Sequence, residues 1–178
     1  VQLALAEAAR QNGDIGLLRE TAEQLIRNRP LDPRGYVLRA ESETKGTLAS
    51  AAEQDLQKAI ELAPQDGSVY TAMGKFYRGQ AKSKEALEYY ERALDRDPRA
   101  IEPLAGIVSI LAGEKQSAKA LARVQAQATK SPNNDALFVL LGGLQLENKD
   151  LAGAQVSLQR ASGINPHNVD AATLLSKV

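Results

Sequence analysis

Five prolines, Pro30, Pro64, Pro98, Pro132 and Pro166, stand on a lattice with an unvarying spacing of 34 residues. In a chain of 178 residues such a lattice means an internal repeat, which confines the fold to stacked copies of one supersecondary unit. With each Pro at position 32, the chain divides into units 1–32, 33–66, 67–100, 101–134 and 135–168, with 169–178 opening a sixth. Other columns then fall into register. Position 8 carries Ala6, Ala40, Gly74, Val108, Gly142 and Ser176, and position 20 carries Leu18, Ala52, Ala86, Ala120 and Ala154. Position 24 carries Ala22, Leu56, Tyr90, Val124 and Leu158, and position 27 carries Leu25, Ala59, Ala93, Gln127 and Ala161. Small residues at fixed positions mark where two helices approach closely.

Composition decides which kind of unit repeats. The chain is 43% hydrophobic and 25% charged, a globular balance, and its apolar residues are mostly Ala and Leu with only 4% aromatics. That usage favours closely packed helices over strands rich in Val, Tyr and Phe. Each unit therefore reads as helix A, a short turn, helix B and a junction whose Pro cannot continue a helix. Gly13-Asp14 and Asn148-Lys149-Asp150 mark two of the turns between helices A and B. One hairpin cannot bury both its faces, so neighbouring hairpins must stack.

The pattern resembles the tetratricopeptide repeat, most fully in the unit GSVYTAMGKFYRGQAKSKEALEYYERALDRDPRA. Tyr70, Gly74, Tyr77, Ala86, Tyr90, Ala93 and Pro98 stand at that family's signature positions, and the likeness extends over the whole chain. It implies an all-α fold: a right-handed α-solenoid of antiparallel helix pairs forming one domain over residues 1–178, with helices A lining a concave side and helices B the convex side. Two units depart from the pattern. The first exchanges sizes, with Leu18 where Ala is usual and Ala22 where a large residue is usual. The fourth has Gln127 at a normally small position and Pro103 in its first helical turn, where the missing N–H has no helical partner to lose.

Catalytic chemistry finds little material. With no Cys and one His, the chain offers no thiol nucleophile, disulfide framework or thiolate zinc site, and His167 follows Pro166 in a junction without neighbouring ligands. No metal, cofactor or enzymatic activity is expected. The glycines of Gly67 to Gly74-Lys75 lie too far apart for a phosphate loop, Phe76 replaces the required Ser or Thr, and the stretch falls on a helix. Glu85, Glu88 and Glu91, interleaved with Lys84 and Arg92, read as a solvated helix face. Tyr70, Phe76, Tyr77, Tyr89 and Tyr90 cluster in one unit, mostly at core positions of the repeat. A net charge of zero lacks the basic footprint of a nucleic-acid-binding helical repeat, which remains a remote alternative. No apolar run is long enough to span a bilayer.

The expected site is the groove. In the family, positions 2, 5, 9, 12 and 13 of helix A point into the concavity. Here they give Arg34, Val37, Glu41, Thr44 and Lys45, then Ser68, Thr71, Lys75 and Arg78, then Ala105, Ser109, Ala112, Val139, Gly143, Leu146 and Glu147. This surface is polar and partly basic in the middle and apolar toward the C-terminus. Residues 1–66 carry 8 basic against 11 acidic side chains, and residues 67–134 carry 11 against 7, so charge runs from −3 to +4 along the chain. A protein or peptide segment is expected there, acidic near Lys75 and Arg78 and apolar near Val139 and Leu146. The competing reading is charge that only solvates the surface. Chaperone-binding members grip a carboxylate terminus with Lys, Asn and Arg at positions 2, 5, 6 and 9, where this chain has no Asn.

Two further expectations concern the setting. VDAATLLSKV, the sixth segment, is apolar where a terminal cap should be polar, and the chain opens on Val1. Both fit a slice of a longer array, or end-to-end self-association through the last helix. The richness in Ala, Leu and Gln resembles bacterial arrays that organise envelope and polysaccharide-export machinery, which points to the periplasm or envelope ahead of a cytosolic adaptor.

Overall fold

A computed structural model describes residues 2–43 and 48–178. Every regular element among these residues is helical. They fall into two compact units, Val1–Arg96 and Asp97–Val178. The first holds α1 (Gln2–Asn12), α2 (Ile15–Asn28), α3 (Pro33–Ser42), α4 (Ala49–Leu62), α5 (Gly67–Gly79) and α6 (Ser83–Arg96). These pair as α1/α2, α3/α4 and α5/α6, with α2 packed on α3 and α4 on α5. The second holds α7 (Ile101–Gly113), α8 (Ser117–Lys130), α9 (Asp135–Glu147), α10 (Leu151–Ile164) and α11 (Val169–Leu175). There α7 pairs with α8 and α9 with α10, while α11 packs against α10 and α9.

Local chemistry sets the helix ends. Asp14, Asp32 and Asp66 cap α2, α3 and α5 by accepting the backbone N–H groups of Leu17, Arg34 and Ser68 at 2.9, 3.1 and 2.9 Å. Asp150 and Asn168 do the same for α10 and α11, from Gly153 and Ala171. Between helices A and B the backbone passes once through the left-handed region, at Gly13 (φ +68°), Ala81 (57°), Lys115 (59°) and Lys149 (62°). All four belong to one column of the 34-residue lattice.

That lattice is also a burial map. The residues at positions 20, 24 and 27 are 2% exposed or less in every unit from Leu18 to Ala161. At position 8, Ala6, Ala40, Gly74, Val108 and Gly142 are buried as well. Sizes at positions 8 and 24 are complementary. A Cβ added at Gly74 would lie 2.6 Å from the Tyr90 ring, and one at Gly142 would lie 2.6 Å from Leu158 Cγ. In the first hairpin Ala6 and Ala22 are both small, and Leu18 from position 20 shares their apolar cluster. The size exchange seen in the sequence thus still yields one buried apolar cluster. A fifth buried column, position 3, carries Gly35, Val69, Pro103, Leu137 and Ala171.

The lattice prolines hold successive hairpins together as well as ending them. A backbone carbonyl near a helix end needs a donor. The Pro30 and Pro64 carbonyls each accept a tyrosine hydroxyl, Tyr36 at 3.0 Å and Tyr70 at 2.9 Å. In the fourth hairpin Leu104 replaces that tyrosine, and the Pro98 carbonyl accepts from Gln127 Nε2 and, at 3.3 Å, from Ser131 Oγ. In the fifth, Phe138 has no hydroxyl, and Arg160 donates to the Pro132 carbonyl at 3.3 Å. Gln127, anomalous by size, is therefore accounted for as a donor.

Candidate partner-binding site

In the first unit, the ends of α1, α3 and α5 and the start of α2 surround a hollow of about 350 Å³. Its floor is apolar: Leu18, Ala40, Leu56, Ala72 and Phe76, with the half-exposed Ile15 at one edge. Arg10, Glu41 and Lys75 line its rim. Arg10 reaches Glu41 at 2.8 Å across neighbouring A helices and Glu7 at 3.1 Å on its own. Arg10 is 46% exposed and Glu41 26%, so the pair contributes at most about 1 kcal/mol and exchanges readily for an incoming charge.

Below the rim, stronger pairs fix α3. Arg39 donates to both carboxylate oxygens of Asp55 on α4 at 2.6 Å, and Arg19 reaches Glu43 at 3.1 Å. The Asp55 hydrogen bonds raise the Arg39 pKa further above its ordinary value, against the opposing effect of burial. Tyr77 donates to Glu53 at 2.5 Å and stacks on Tyr89 at 5.4 Å. Burial first, then the Glu53 carboxylate, push the Tyr77 phenol well above its ordinary pKa.

The second unit has its own hollow, of about 410 Å³, lined by Ala105, Val108, Ser109 and Ala112 of α7, Val139, Leu140, Gly143, Leu144 and Glu147 of α9, and Leu174 of α11. Among these described residues only Ser109 and Glu147 carry polar side chains. The hollow suits an aliphatic side chain.

Of the groove residues expected from the sequence, Glu41 and Lys75 meet in the first hollow, and Ala105, Ser109, Ala112, Val139, Gly143 and Glu147 meet in the second. Val37 is half-buried against the core of α4 and α5. Arg34 is exposed but held by Asp32 at 2.6 and 2.9 Å, a contact that lowers the Asp32 pKa. Arg78 is exposed at the end of α5. Lys45 and Thr44 lie outside the described residues. Thr71 is a correction: it is 5% exposed and its hydroxyl donates to the Gly67 carbonyl at 3.0 Å, so it stands behind the surface. Leu146 is half-buried and lies off the second hollow, where Leu140 and Leu144 line the wall.

Arg10, Ile15, Leu18, Phe76, Gly79 and Leu174 were not anticipated. Arg10 occupies position 12, the column of Arg78 and Leu146, so extending the columns into the first unit identifies it. Ile15 and Leu18 come from a B helix, for which the groove columns give no rule. The aromatic cluster leaves little surface for a nucleobase, since Tyr70, Phe76 and Tyr90 are 2, 5 and 1% exposed. His167 is exposed. Among the described residues no group of three His, Cys, Asp or Glu is placed to share a metal, and no helix is long and apolar enough to cross a membrane.

Stacked helical hairpins with hollows along their A helices define a repeat protein of the kind that holds other proteins. Sequence models of the tetratricopeptide repeat match residues 3–67 and 67–99, and the chain belongs to that family. Similar solved structures include TTC0263, a thermophilic TPR protein of Thermus thermophilus. It is 19% identical with a TM-score of 0.66, over 99% of this chain and 96% of that one. YrrB, a TPR protein with an unusual peptide-binding site, is 17% identical with a TM-score of 0.54, over 97% and 89%. MamA is 12% identical with a TM-score of 0.57, over 93% and 90%. At these identities the likeness is one of fold. Hsp70-Hsp90 organizing protein 2 of Arabidopsis thaliana is 32% identical over 84 residues, which are 47% of this chain and 15% of that protein. This chain thus corresponds to a small part of that relative's length.

Proposed function

We propose that the chain is an adaptor that holds an internal segment of a partner protein against its A helices. An apolar side chain of that segment enters the first hollow, beside an acidic residue that meets Lys75, Arg10 and Arg78; the second hollow, taken by itself, is a seat for an aliphatic side chain. The observation that carries this reading is the first hollow, whose apolar floor lies under a partly exposed ion pair that an incoming carboxylate exchanges at little cost. The names of YrrB and of the Arabidopsis relative, one with a peptide-binding site and one an organiser of chaperones, agree with segment holding as a use of this repeat. The absence of Asn from positions 2, 5, 6 and 9 of the A helices favours an internal segment over a carboxylate terminus. The compositional likeness to envelope arrays extends the proposal to a bacterial envelope assembly, and fractionation of cells for the full-length protein separates this from a cytosolic adaptor.

The test is selection of random twelve-residue peptides displayed on phage. Selected sequences should place Asp or Glu beside Leu, Ile or Phe. Reversing Lys75 and Arg78 to Glu should weaken those peptides about tenfold and flatten the salt dependence of binding, whereas Lys119→Glu on α8 should not. Selected peptides that bind the double variant as tightly as the unmodified chain would refute the assignment.

A further inference from the structure

Arg92 and Arg96, one turn apart on α6, both rest against the ring of Tyr70, with guanidinium carbons 4.7 and 4.6 Å from its centroid. Arg92 also lies 4.9 Å from the Tyr89 centroid. The platform is rigid. Tyr70 is 2% exposed with its hydroxyl on the Pro64 carbonyl, and Tyr89 is stacked on Tyr77. Arg96 is held by donation to the Pro64 and Arg92 carbonyls at 3.5 and 3.3 Å.

Arg92 and Arg96 are stacked on rings without an ion pair, unlike Arg39, which rests on the Tyr36 ring and is paired with Asp55. Arg10, Arg19, Arg34 and Arg39 of the same unit each reach a carboxylate within 3.2 Å. Among the described residues no carboxylate lies within ion-pairing distance of Arg92 or Arg96. Stacked on rings, the half-buried Arg92 guanidinium loses water from its faces and keeps N–H donors along its edge. Such a fork is arranged for a planar, bidentate acceptor.

We propose that Arg92 and Arg96 form a second recognition site, separate from the hollows, that takes a single carboxylate presented by a partner protein. The surroundings favour this ligand over a polyanion. Glu88 and Asp95 are exposed on the same helix, within the range at which charges still act in physiological salt. A nucleic acid or an anionic membrane meets their repulsion with every additional phosphate. A protein segment whose acidic residue is flanked by Lys or Arg meets Arg92 with the acid and Glu88 and Asp95 with its flanks.

The test follows the arginine side-chain N–H signals of the unmodified chain by NMR during separate titrations with four probes. These are acetyl-Lys-Glu-Lys-amide, acetyl-Lys-Gln-Lys-amide, inorganic phosphate and single-stranded oligothymidine. The Glu peptide should shift Arg92 and Arg96, saturating at a concentration on the order of millimolar, while Arg78 stays still and the Gln peptide has no effect. Arg92→Gln should weaken the response about tenfold at an unchanged melting temperature, and Arg92→Lys should lose most of it although the charge is kept. Equal shifts with the Gln peptide, no shift at all, or tighter binding of phosphate or oligothymidine than of the Glu peptide would each overturn the proposal.

Discussion

The two compact units solve the same structural problem with different side chains. In Val1–Arg96 the junction carbonyls of Pro30 and Pro64 are held by tyrosine hydroxyls. In Asp97–Val178 the tyrosine column reads Leu104 and Phe138, and the Pro98 and Pro132 carbonyls are held by Gln127 with Ser131 and by Arg160. The hollows differ in the same sense, with an ion pair and Lys75 around the first and a mostly aliphatic wall around the second. What the repeat conserves is a hydrogen bond and a packed volume, while the residues that supply them are free to change. The hollows rest on core residues such as Leu18, Leu56 and Val108, whereas their exposed rims carry no such structural duty, so rim chemistry is free to diverge toward different ligands.

Packed volume gives the largest expected effect. Gly74 lies under the Tyr90 ring and Gly142 under Leu158, both large residues being 1% exposed or less. Gly74→Ala places a methyl group 2.6 Å from the buried Tyr90 ring and should cost about 1–3 kcal/mol net in urea unfolding, the gain in helix propensity included. Gly142→Ala should cost about 1 kcal/mol less. It produces the Ala and Leu combination that Ala40 and Leu56 already pack in the second hairpin, so α9 and α10 need only a small shift. Adding Tyr90→Leu to Gly74→Ala should restore part of the loss for the same reason. Additive costs in that double variant would mean that positions 8 and 24 do not share a volume.

The carbonyl contacts come next in size. Gln127 is 1% exposed, accepts from Arg123 at 2.9 Å and donates to Pro98. Its change to Ala removes both bonds and leaves the Pro98 carbonyl only the Ser131 hydroxyl, at a cost of about 1–3 kcal/mol. Tyr70→Phe leaves the Pro64 carbonyl the longer Arg96 contact and should cost about 0.5–1.5 kcal/mol. Tyr36→Phe, at an exposed bond, should cost least of the three. Chemical denaturation of the three variants orders them, and a Gln127→Ala cost no greater than that of Tyr36→Phe would show that the second unit does not depend on this hydrogen bond.

The fold was legible because its causes are periodic. Proline spacing and small residues at close approaches each act locally and recur every 34 residues, so the columns at positions 20, 24 and 27 mark buried residues from Leu18 to Ala161. The site was legible only where it obeys the same period. Glu41, Lys75, Ser109, Val139 and Gly143 lie in groove columns and do line hollows. Thr71 lies in such a column too, but its hydroxyl finds a carbonyl one turn back and the side chain is enclosed. Ile15, Leu18 and Leu174 reach the hollows from helices outside the groove columns or from the last helix, a consequence of how hairpins meet that no single repeat encodes. Gln127 looked like a misfit because size is visible in a column and a missing hydroxyl 23 residues earlier, at Leu104, is not.

The smallest effect tests a column that both units share. Each described turn between helices A and B has one residue with positive φ: Gly13, Ala81, Lys115 or Lys149. A side chain in that conformation costs about 1–2 kcal/mol, whereas glycine adopts it freely but adds about 0.4–1 kcal/mol of unfolded-state freedom. Lys149→Gly and Ala81→Gly should therefore stabilise their units by about 0.5 kcal/mol, a rise of roughly 1–2 °C in melting temperature for a chain of this size. Gly13→Ala should lose a similar amount, and for conformational reasons alone, because a Cβ there meets nothing within 4 Å. If Lys149→Gly were instead destabilising, the Lys149 side chain would be contributing a contact that outweighs its backbone strain, and the turns of the two units would differ in more than residue identity.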